Sequence, residues 1–214
     1  MHRRQFLYAG LLSCFGADLS NSAICDDKRR RVCGTTSTLF KYSDGPPKWD
    51  KLHLTYYIKR RDTSDMSKDE WDNSWLMAFN SWSDVSPLTF SRSTSQRTSD
   101  ILVDVSDEED EGFGERGGVL AWAFLPETPT WNGRLVTKFD KSEDWVSSIE
   151  DSRSEVLLQA VAAHEIGHLL GLDHSFYDCA LMYPYYFPHA PIVIPQSLDD
   201  IVRIQDLYLG QSSP

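Results

Sequence analysis

The sequence predicts an α+β domain in which a β-sheet is backed by helices. Most of the short runs rich in β-branched and aromatic residues precede the two C-terminal helical patterns, in the mixed order that is typical of such domains. The 214 residues suit one domain of roughly 150–200 residues with an appendage. Hydrophobic residues make up 41% of the chain and charged residues 25%, which is a globular composition.

Residues 1–23 are predicted to be an export signal. Arg3 and Arg4 precede an apolar run at residues 6–17, which has the length of a signal-peptide core and also resembles a twin-arginine signal. The alternative is a short buried helix. The run is too short to span a bilayer. Because either kind of signal leads out of the cytosol, the protein is expected to be secreted.

Residues 24–48 are predicted to be an extended, propeptide-like lead-in, since they are rich in charge, Ser/Thr, Gly and Pro. Their basic cluster at residues 28–31 is either a processing site or a solvated linker.

Residues 52–58 read as the first strand. A helix follows, and Ser67 and Glu70 form its capping box. One face of this helix carries aromatic residues that are expected in the core: Trp71, Trp75, Phe79 and Trp82.

Further strands and two helices complete the predicted domain. The strand candidates are residues 88–92, 101–105, 119–124 and 135–139. The acidic loop at residues 107–111 is either a Ca²⁺-binding loop or a solvated one. The strongest helical pattern covers residues 154–170 and ends at a glycine, which adopts the left-handed conformation that stops a helix. The last covers residues 197–209, with Ser197 and Asp200 as its cap pair.

The charge balance argues against a protein that binds nucleic acid or anionic membranes. The chain carries 32 acidic and 21 basic residues, a formal net charge of −11. Both kinds of partner are bound by basic patches, and an acidic surface repels them.

The helical pattern at residues 154–170 carries a zinc-binding motif. His164 and His168 belong to H-E-x-x-H, and on a helix this spacing brings both imidazoles to one ion. Glu165 lies between them, where it can act as general base toward a metal-bound water. Gly171 lets the chain turn sharply, so that His174 supplies a third nitrogen. Three neutral histidines leave the fourth tetrahedral position open, which is the catalytic arrangement.

This extended motif resembles the matrix metalloproteinases (matrixins), a branch of the metzincins. It reads HEIGHLLGLDHS and is followed by ALMYPYY. Within the second stretch, Met182 resembles the Met-turn that floors the zinc site in this family. Pro184 and Tyr186 resemble the segment that walls the S1′ pocket. The resemblance covers roughly residues 31–210.

The resemblance implies a metzincin fold, with a twisted five-stranded mixed sheet and three helices, over residues 49–210. Residues 211–214 are then a tail, and no hemopexin-like domain is expected. The implied protein is a secreted zinc metalloendopeptidase, made as a zymogen, that cleaves extended polypeptides such as extracellular matrix proteins. Its expected partners are these substrates and protein inhibitors, and it is expected to be a monomer that binds neither nucleic acid nor membrane.

The resemblance also implies where substrate lies. An extended peptide would pair with the backbone of Leu120 and Ala121 on the edge strand. Ala160 stands at the base of the S1′ pocket, where family members vary in side-chain size, and its small side chain predicts a deep pocket for a long apolar P1′ residue. The alternative to an enzyme is an inactive binding module or decoy on the same fold. The intact Glu165 and histidines favour the enzyme.

Two departures from the family concern structural metals. Trp122 and Lys138 stand where the family has histidine ligands of a second, structural zinc, and neither side chain can replace a histidine. One catalytic zinc and no structural zinc are therefore expected. Asp140 and Glu143 match the paired carboxylates of one family calcium site and are candidate Ca²⁺ ligands, whereas the alternative is an ion pair of Asp140 with Lys138 or Lys141.

A third departure concerns Cys33. The surrounding RVCG resembles the family's cysteine switch, in which a thiolate fills the fourth zinc position. Val32 and Ser37 replace the arginine and aspartate whose ion pair braces that switch. Cys33 is therefore either an inhibitory zinc ligand or part of a disulfide with Cys25 or Cys179. The sequence leaves both readings open.

Overall fold

The computed structural model describes residues 31–34, 45–59, 66–106, 113, 116–127, 130–150 and 154–210. Several sequence predictions fall outside the described residues: the export signal, most of the lead-in segment with Cys25 and Ser37, the acidic loop, and the tail. Among the helices that are described, none is long and apolar enough to cross a bilayer.

Strands and helices follow one another in the predicted mixed order. The strands of the described residues are β1 (Val32–Cys33), β2 (His53–Ile58), β3 (Thr89–Arg92), β4 (Ile101–Ser106), β5 (Val119–Ala123), β6 (Leu135–Asp140), β7 (Asp144–Val146) and β8 (Glu155–Leu157). The helices are α1 (Lys68–Val85), α2 (Leu158–Leu169) and α3 (Leu198–Leu209). The α+β fold is thus confirmed, with three helices and a mixed, mostly parallel sheet.

The main sheet has the strand order β1-β5-β6-β4-β2-β3. Neighbouring strands are parallel, except that β5 runs antiparallel to β6. Five of these strands were expected, and the sixth, β1, comes from the lead-in segment and pairs with the edge strand β5. Two residues cannot show a strand pattern in sequence, so β1 was not predictable from periodicity.

Helix α1 forms as its sequence predicts. The Ser67 hydroxyl accepts from the Glu70 amide at 3.3 Å, and the Glu70 carboxylate accepts from the Ser67 amide at 2.9 Å. Its aromatic face is buried, with Trp71, Trp75, Phe79 and Trp82 each at most 1% exposed. The Trp82 indole donates to the Ala163 carbonyl at 2.8 Å, which joins α1 to α2.

The prediction of one helix over residues 154–170 was wrong at its start. Glu155–Leu157 instead forms β8, which pairs with β7 in a second, two-stranded sheet. The paired residues Trp145 and Val156 are both fully buried. Pairing and burial of these two side chains outweigh the helical propensity of the segment, so α2 begins only at residue 158.

Candidate metal centre and cleft

Three imidazoles converge at the end of α2. His164 and His168 lie one turn apart on the helix, and their Nε2 atoms are 3.2 Å apart. Gly171 has a φ of +100°, so the chain reverses after the helix and brings His174 back. The Nε2 atom of His174 then lies 3.2 Å from that of His168. Together with the Sγ atom of Cys33, the ligand atoms lie within 4.8 Å of one another.

Backbone carbonyls orient two of these rings. Nδ1 of His164 donates to the Leu181 carbonyl, and Nδ1 of His168 donates to the Leu172 carbonyl, each at 2.7 Å. A proton held on Nδ1 leaves the Nε2 lone pair directed at the common centre. Hydrogen bonds of this kind fix both the tautomer and the direction of a metal-binding imidazole.

Burial keeps the histidines neutral. It lowers the pKa of His164 to about 3, and the nearby His174 adds to this effect. Burial also lowers the pKa of His174 to about 4, with a further contribution from the positive charge of Arg203. Neutral imidazole is the form that binds a metal. Three imidazole nitrogens and one thiol at this spacing suit zinc, so the residues fit the ion that the motif implies.

The floor of the centre depends on a glycine and a buried acid. A Cβ atom on Gly167 would lie 2.2 Å from Sδ of Met182, so the absent side chain lets the predicted Met-turn pack directly beneath α2. Asp200 is fully buried, and its carboxylate accepts from the amides of Leu181 and Met182 at 2.8 and 3.2 Å. The sequence indicated Asp200 only as a helix cap, and no local signal marks its second role.

Residues 31–34 lie in the cleft between β5 and the segment 184–186. On one side, the Gly34 amide donates to the Ala121 carbonyl at 2.8 Å. On the other side, the Cys33 amide donates to the Pro184 carbonyl at 3.0 Å. This position brings Sγ of Cys33 to 3.4 Å from Nε2 of His168.

The disulfide alternative for Cys33 is wrong. Cys33 is a thiol in this structure. Cys179 is itself disulfide-bonded, so it is not the partner of Cys33. The physical reason is that the pairing of β1 with β5 holds the Cys33 side chain beside the histidines.

Four of the five residues expected to contact substrate line one cavity, whereas Ala121, the fifth, lies on β5 outside its lining. Leu120 and Ala160 contribute to its lining, together with the fully buried Glu165. Pro184 and Tyr186 form part of the wall. The Tyr186 hydroxyl accepts from the Leu157 amide at 2.9 Å, which anchors this wall to β8.

The residues at the expected structural zinc site and those at the expected calcium site have different contacts. Trp122 and Lys138 are register partners across β5 and β6, and the ammonium of Lys138 lies 5.7 Å from the centroid of the Trp122 ring. This is a cation–π geometry. Asp140 and Glu143 are both buried, at 1% and 3% exposed, and each has one carboxylate oxygen without a hydrogen-bond partner in the described structure.

Comparison with known proteins adds independent evidence. A model of the matrixin family (peptidase M10) matches residues 48–209. Interstitial collagenase from Sus scrofa is 39% identical over 186 residues, which are 85% of this chain and 37% of that protein. Matrix metalloproteinase-26 from Homo sapiens is 40% identical over 169 residues, which are 78% of this chain and 61% of that protein.

A plant relative shows the same pattern. Metalloendoproteinase 1-MMP from Arabidopsis thaliana is 34% identical over 180 residues, which are 81% of this chain and 48% of that protein. The chain thus spans 37% to 61% of the length of these three relatives. The family model covers most of the chain, and the α+β fold with its helix-borne histidines agrees with it. The chain therefore belongs to the matrixin family of peptidases.

Proposed function

We propose that this protein is a secreted zinc endopeptidase that cleaves extended polypeptides of the extracellular matrix type. The observation that carries the proposal is the convergence of three neutral imidazole nitrogens beside a cavity lined by the buried Glu165. Family membership supports the same reaction class. The intact histidines and glutamate favour an enzyme over an inactive module of the same fold.

In the proposed mechanism, His164, His168 and His174 hold the zinc, which when bound supplies a Lewis acid that polarises the scissile carbonyl. Glu165 accepts a proton from the attacking water and later passes it to the leaving amine. The backbone of Leu120 and Ala121 holds the peptide extended along the edge of β5 by strand addition.

The cavity also supports a proposed specificity. Ala160 is a small residue in its lining, which leaves room for a long apolar P1′ side chain such as Leu or Met. Pro184 and Tyr186 contribute an apolar ring and an aromatic ring to its wall. Burying a long apolar side chain there gains about 25 cal/mol per Å² removed from water.

Cys33 supports a latent form of the proposed enzyme. Its thiol lies beside Nε2 of His168, where it can act as the fourth zinc ligand and exclude water from the reacting position. We therefore propose Cys33 as an inhibitory ligand, so that activity requires its removal or displacement.

The proposed function is tested with the full chain carrying Cys33→Ala. We expect this protein to cleave quenched-fluorescent peptides, with P1′ Leu or Met preferred over Ala or Gly, and a zinc chelator to abolish cleavage. Metal analysis is expected to find one tightly bound zinc, since Trp122 and Lys138 replace ligands of the second site. If a folded, zinc-loaded chain cleaves no member of a peptide library even when Arg31→Ala is added to release residues 31–34 from the cleft, the result supports a decoy. Two bound zinc equivalents would refute the prediction that the second zinc site is absent.

We further propose that Asp140 and Glu143 bind calcium. Burial raises the pKa of Glu143, and the neighbouring Asp140 charge adds to this. Two buried carboxylates with orphaned oxygens repel each other, and either a bound cation or a proton on one of them relieves this repulsion. Their oxygen donors suit Ca²⁺, which takes about six to eight such ligands, so other oxygens must complete the site.

Calcium is therefore expected to stabilise the protein. At a hundredfold excess over Kd, binding to the native state contributes about 2.7 kcal/mol, a rise in Tm of roughly 5–10 °C for a domain of this size. Asp140→Asn is expected to remove this rise in a thermal melt. The matched control Asp206→Asn, which changes an exposed carboxylate of α3, is expected to keep it. An unchanged calcium response in Asp140→Asn would contradict the site.

A further inference from the structure

Arg31 is buried against the catalytic half of the molecule, although it lies in the lead-in segment. Its side chain is 8% exposed. Nη1 donates to the Glu155 carbonyl at 2.8 Å, and Nη2 donates to the Ser154 carbonyl at 3.0 Å. Two carbonyl oxygens at the start of β8 thus receive the two ends of one guanidinium. Planar, forked hydrogen bonding of this kind is specific to arginine.

The charges around this guanidinium are mixed. The positive charge of Arg31 acts to lower the pKa of Glu143 and of Tyr186, so both groups lie near it. Arg116 also donates to the Ser154 carbonyl, at 3.5 Å, but it forms an ion pair with Asp144.

The position of this pocket within the cleft follows from the backbone. The Tyr186 amide donates to the Arg31 carbonyl at 3.1 Å, so Arg31 lies beside the wall of the S1′ cavity. Two residues further along, Cys33 reaches the metal centre. A peptide whose P1′ side chain fills that cavity must continue past the same wall. We infer that its second or third residue after the scissile bond comes alongside the carbonyls of Ser154 and Glu155.

We propose that the carbonyls of Ser154 and Glu155 form a guanidinium-binding subsite of the cleft. Arg31 fills this subsite while Cys33 lies at the metal centre, and it anchors the inhibitory segment in place of the missing ion pair. When the segment leaves, an arginine side chain of a substrate, two or three residues after the scissile bond, fills the same subsite. This second half rests on the proposed endopeptidase function, whereas the first half does not.

The anchor is tested by the rate at which the Cys33 thiol of the full chain reacts with a soluble alkylating agent, followed by mass spectrometry. Arg31→Ala is expected to raise this rate about 10- to 100-fold, because it removes two charge-assisted hydrogen bonds. Arg31→Lys keeps the positive charge but loses the forked hydrogen bonding. Its alkylation rate is expected to lie between those of Arg31→Ala and the unaltered chain. The control Arg92→Ala removes an arginine that pairs with Asp72 elsewhere and is expected to react like the unaltered chain.

Thermal melts of the same variants separate anchoring from folding. Arg31→Ala is expected to keep its Tm within a few degrees while its thiol reacts faster, since the anchor holds a segment rather than the core. Equal thiol rates in Arg31→Ala and the unaltered chain overturn the anchor. Faster alkylation of Cys33 in Arg92→Ala overturns it as well, because the loss of an arginine elsewhere would then have the same effect.

The subsite is tested by binding, so that the result does not depend on turnover. The full chain carrying Arg31→Ala, Cys33→Ala and Glu165→Gln is loaded with zinc and titrated with paired peptides. The peptides share a P1′ leucine and carry either Arg or Gln at the second or third following position. We expect the Arg peptide to bind about tenfold more tightly, and its advantage to shrink when Arg31 is restored and competes. Equal affinity for the two peptides, or no binding of either, overturns the subsite. The proposed function is tested separately, by whether the Cys33→Ala chain cleaves peptides.

Discussion

Glu165→Gln in the full chain carrying Cys33→Ala is expected to lower kcat/KM for a quenched peptide by about 10³-fold. Glu165 is fully buried and lines the cavity next to the histidines, so no other described carboxylate of the cavity wall is as well placed to take the proton of the attacking water. General acid–base catalysis contributes about 10²–10⁴-fold. Glutamine keeps the shape of the side chain but cannot accept a proton. Steady-state kinetics on a P1′-leucine peptide measure this loss.

Two controls show whether the loss is chemical. Zinc content should be unchanged in Glu165→Gln, because the histidines and their carbonyl partners are untouched. Glu127→Gln, which changes an exposed glutamate after β5, should keep full activity. If Glu165→Gln cleaves peptides at the original rate with zinc bound, Glu165 is not the general base.

Gly171→Ala is expected to destabilise the protein by about 3 kcal/mol and to lower its Tm by roughly 6–12 °C. The residue has a φ of +100°, which is unfavourable for any side chain. In addition, a Cβ atom would lie 2.3 Å from the Pro47 carbonyl oxygen, which is backbone and cannot move aside cheaply. His174 follows three residues later, so the displacement is also expected to weaken zinc binding.

Gly45→Ala is the matched control for this substitution. Gly45 also has a positive φ, of +94°, but no atom lies within 4 Å of the Cβ that alanine would add. It should therefore cost only the conformational strain, about 1 kcal/mol or roughly 2–4 °C in Tm. Equal losses in the two variants, measured by thermal melts, would show that the contact with Pro47 contributes nothing.

The sequence predicted what depends on spacing within one element. The histidines of α2 are one helical turn apart, and the glycine after the helix permits the reversal that returns His174. The capping box and aromatic face of α1 are equally local, since helical periodicity alone brings such residues together. These features follow from backbone geometry that any helix of this sequence shares.

The start of α2 was predicted wrongly for the opposite reason. Residues 155–157 have helix-compatible side chains, but a strand partner at residues 144–146 is available only in the folded molecule. Asp200 is a second case, because its contact with the Met-turn spans 18 and 19 residues. Local propensity is worth tenths of a kcal/mol per residue, and burial of paired side chains outweighs it.

By itself, the sequence determined the family, the α+β class and the identity of the candidate zinc ligands and base, since a spaced motif on a helix encodes them. Only the tertiary structure decided that Cys33 lies at the histidines rather than in a disulfide, 135 residues away from His168 in the chain. It also decided that Arg31 reaches carbonyls 123 and 124 residues away. Sequence periodicity shows which residues share a face of one helix or strand. Contacts between residues this far apart in the chain are determined by the packing of the whole domain.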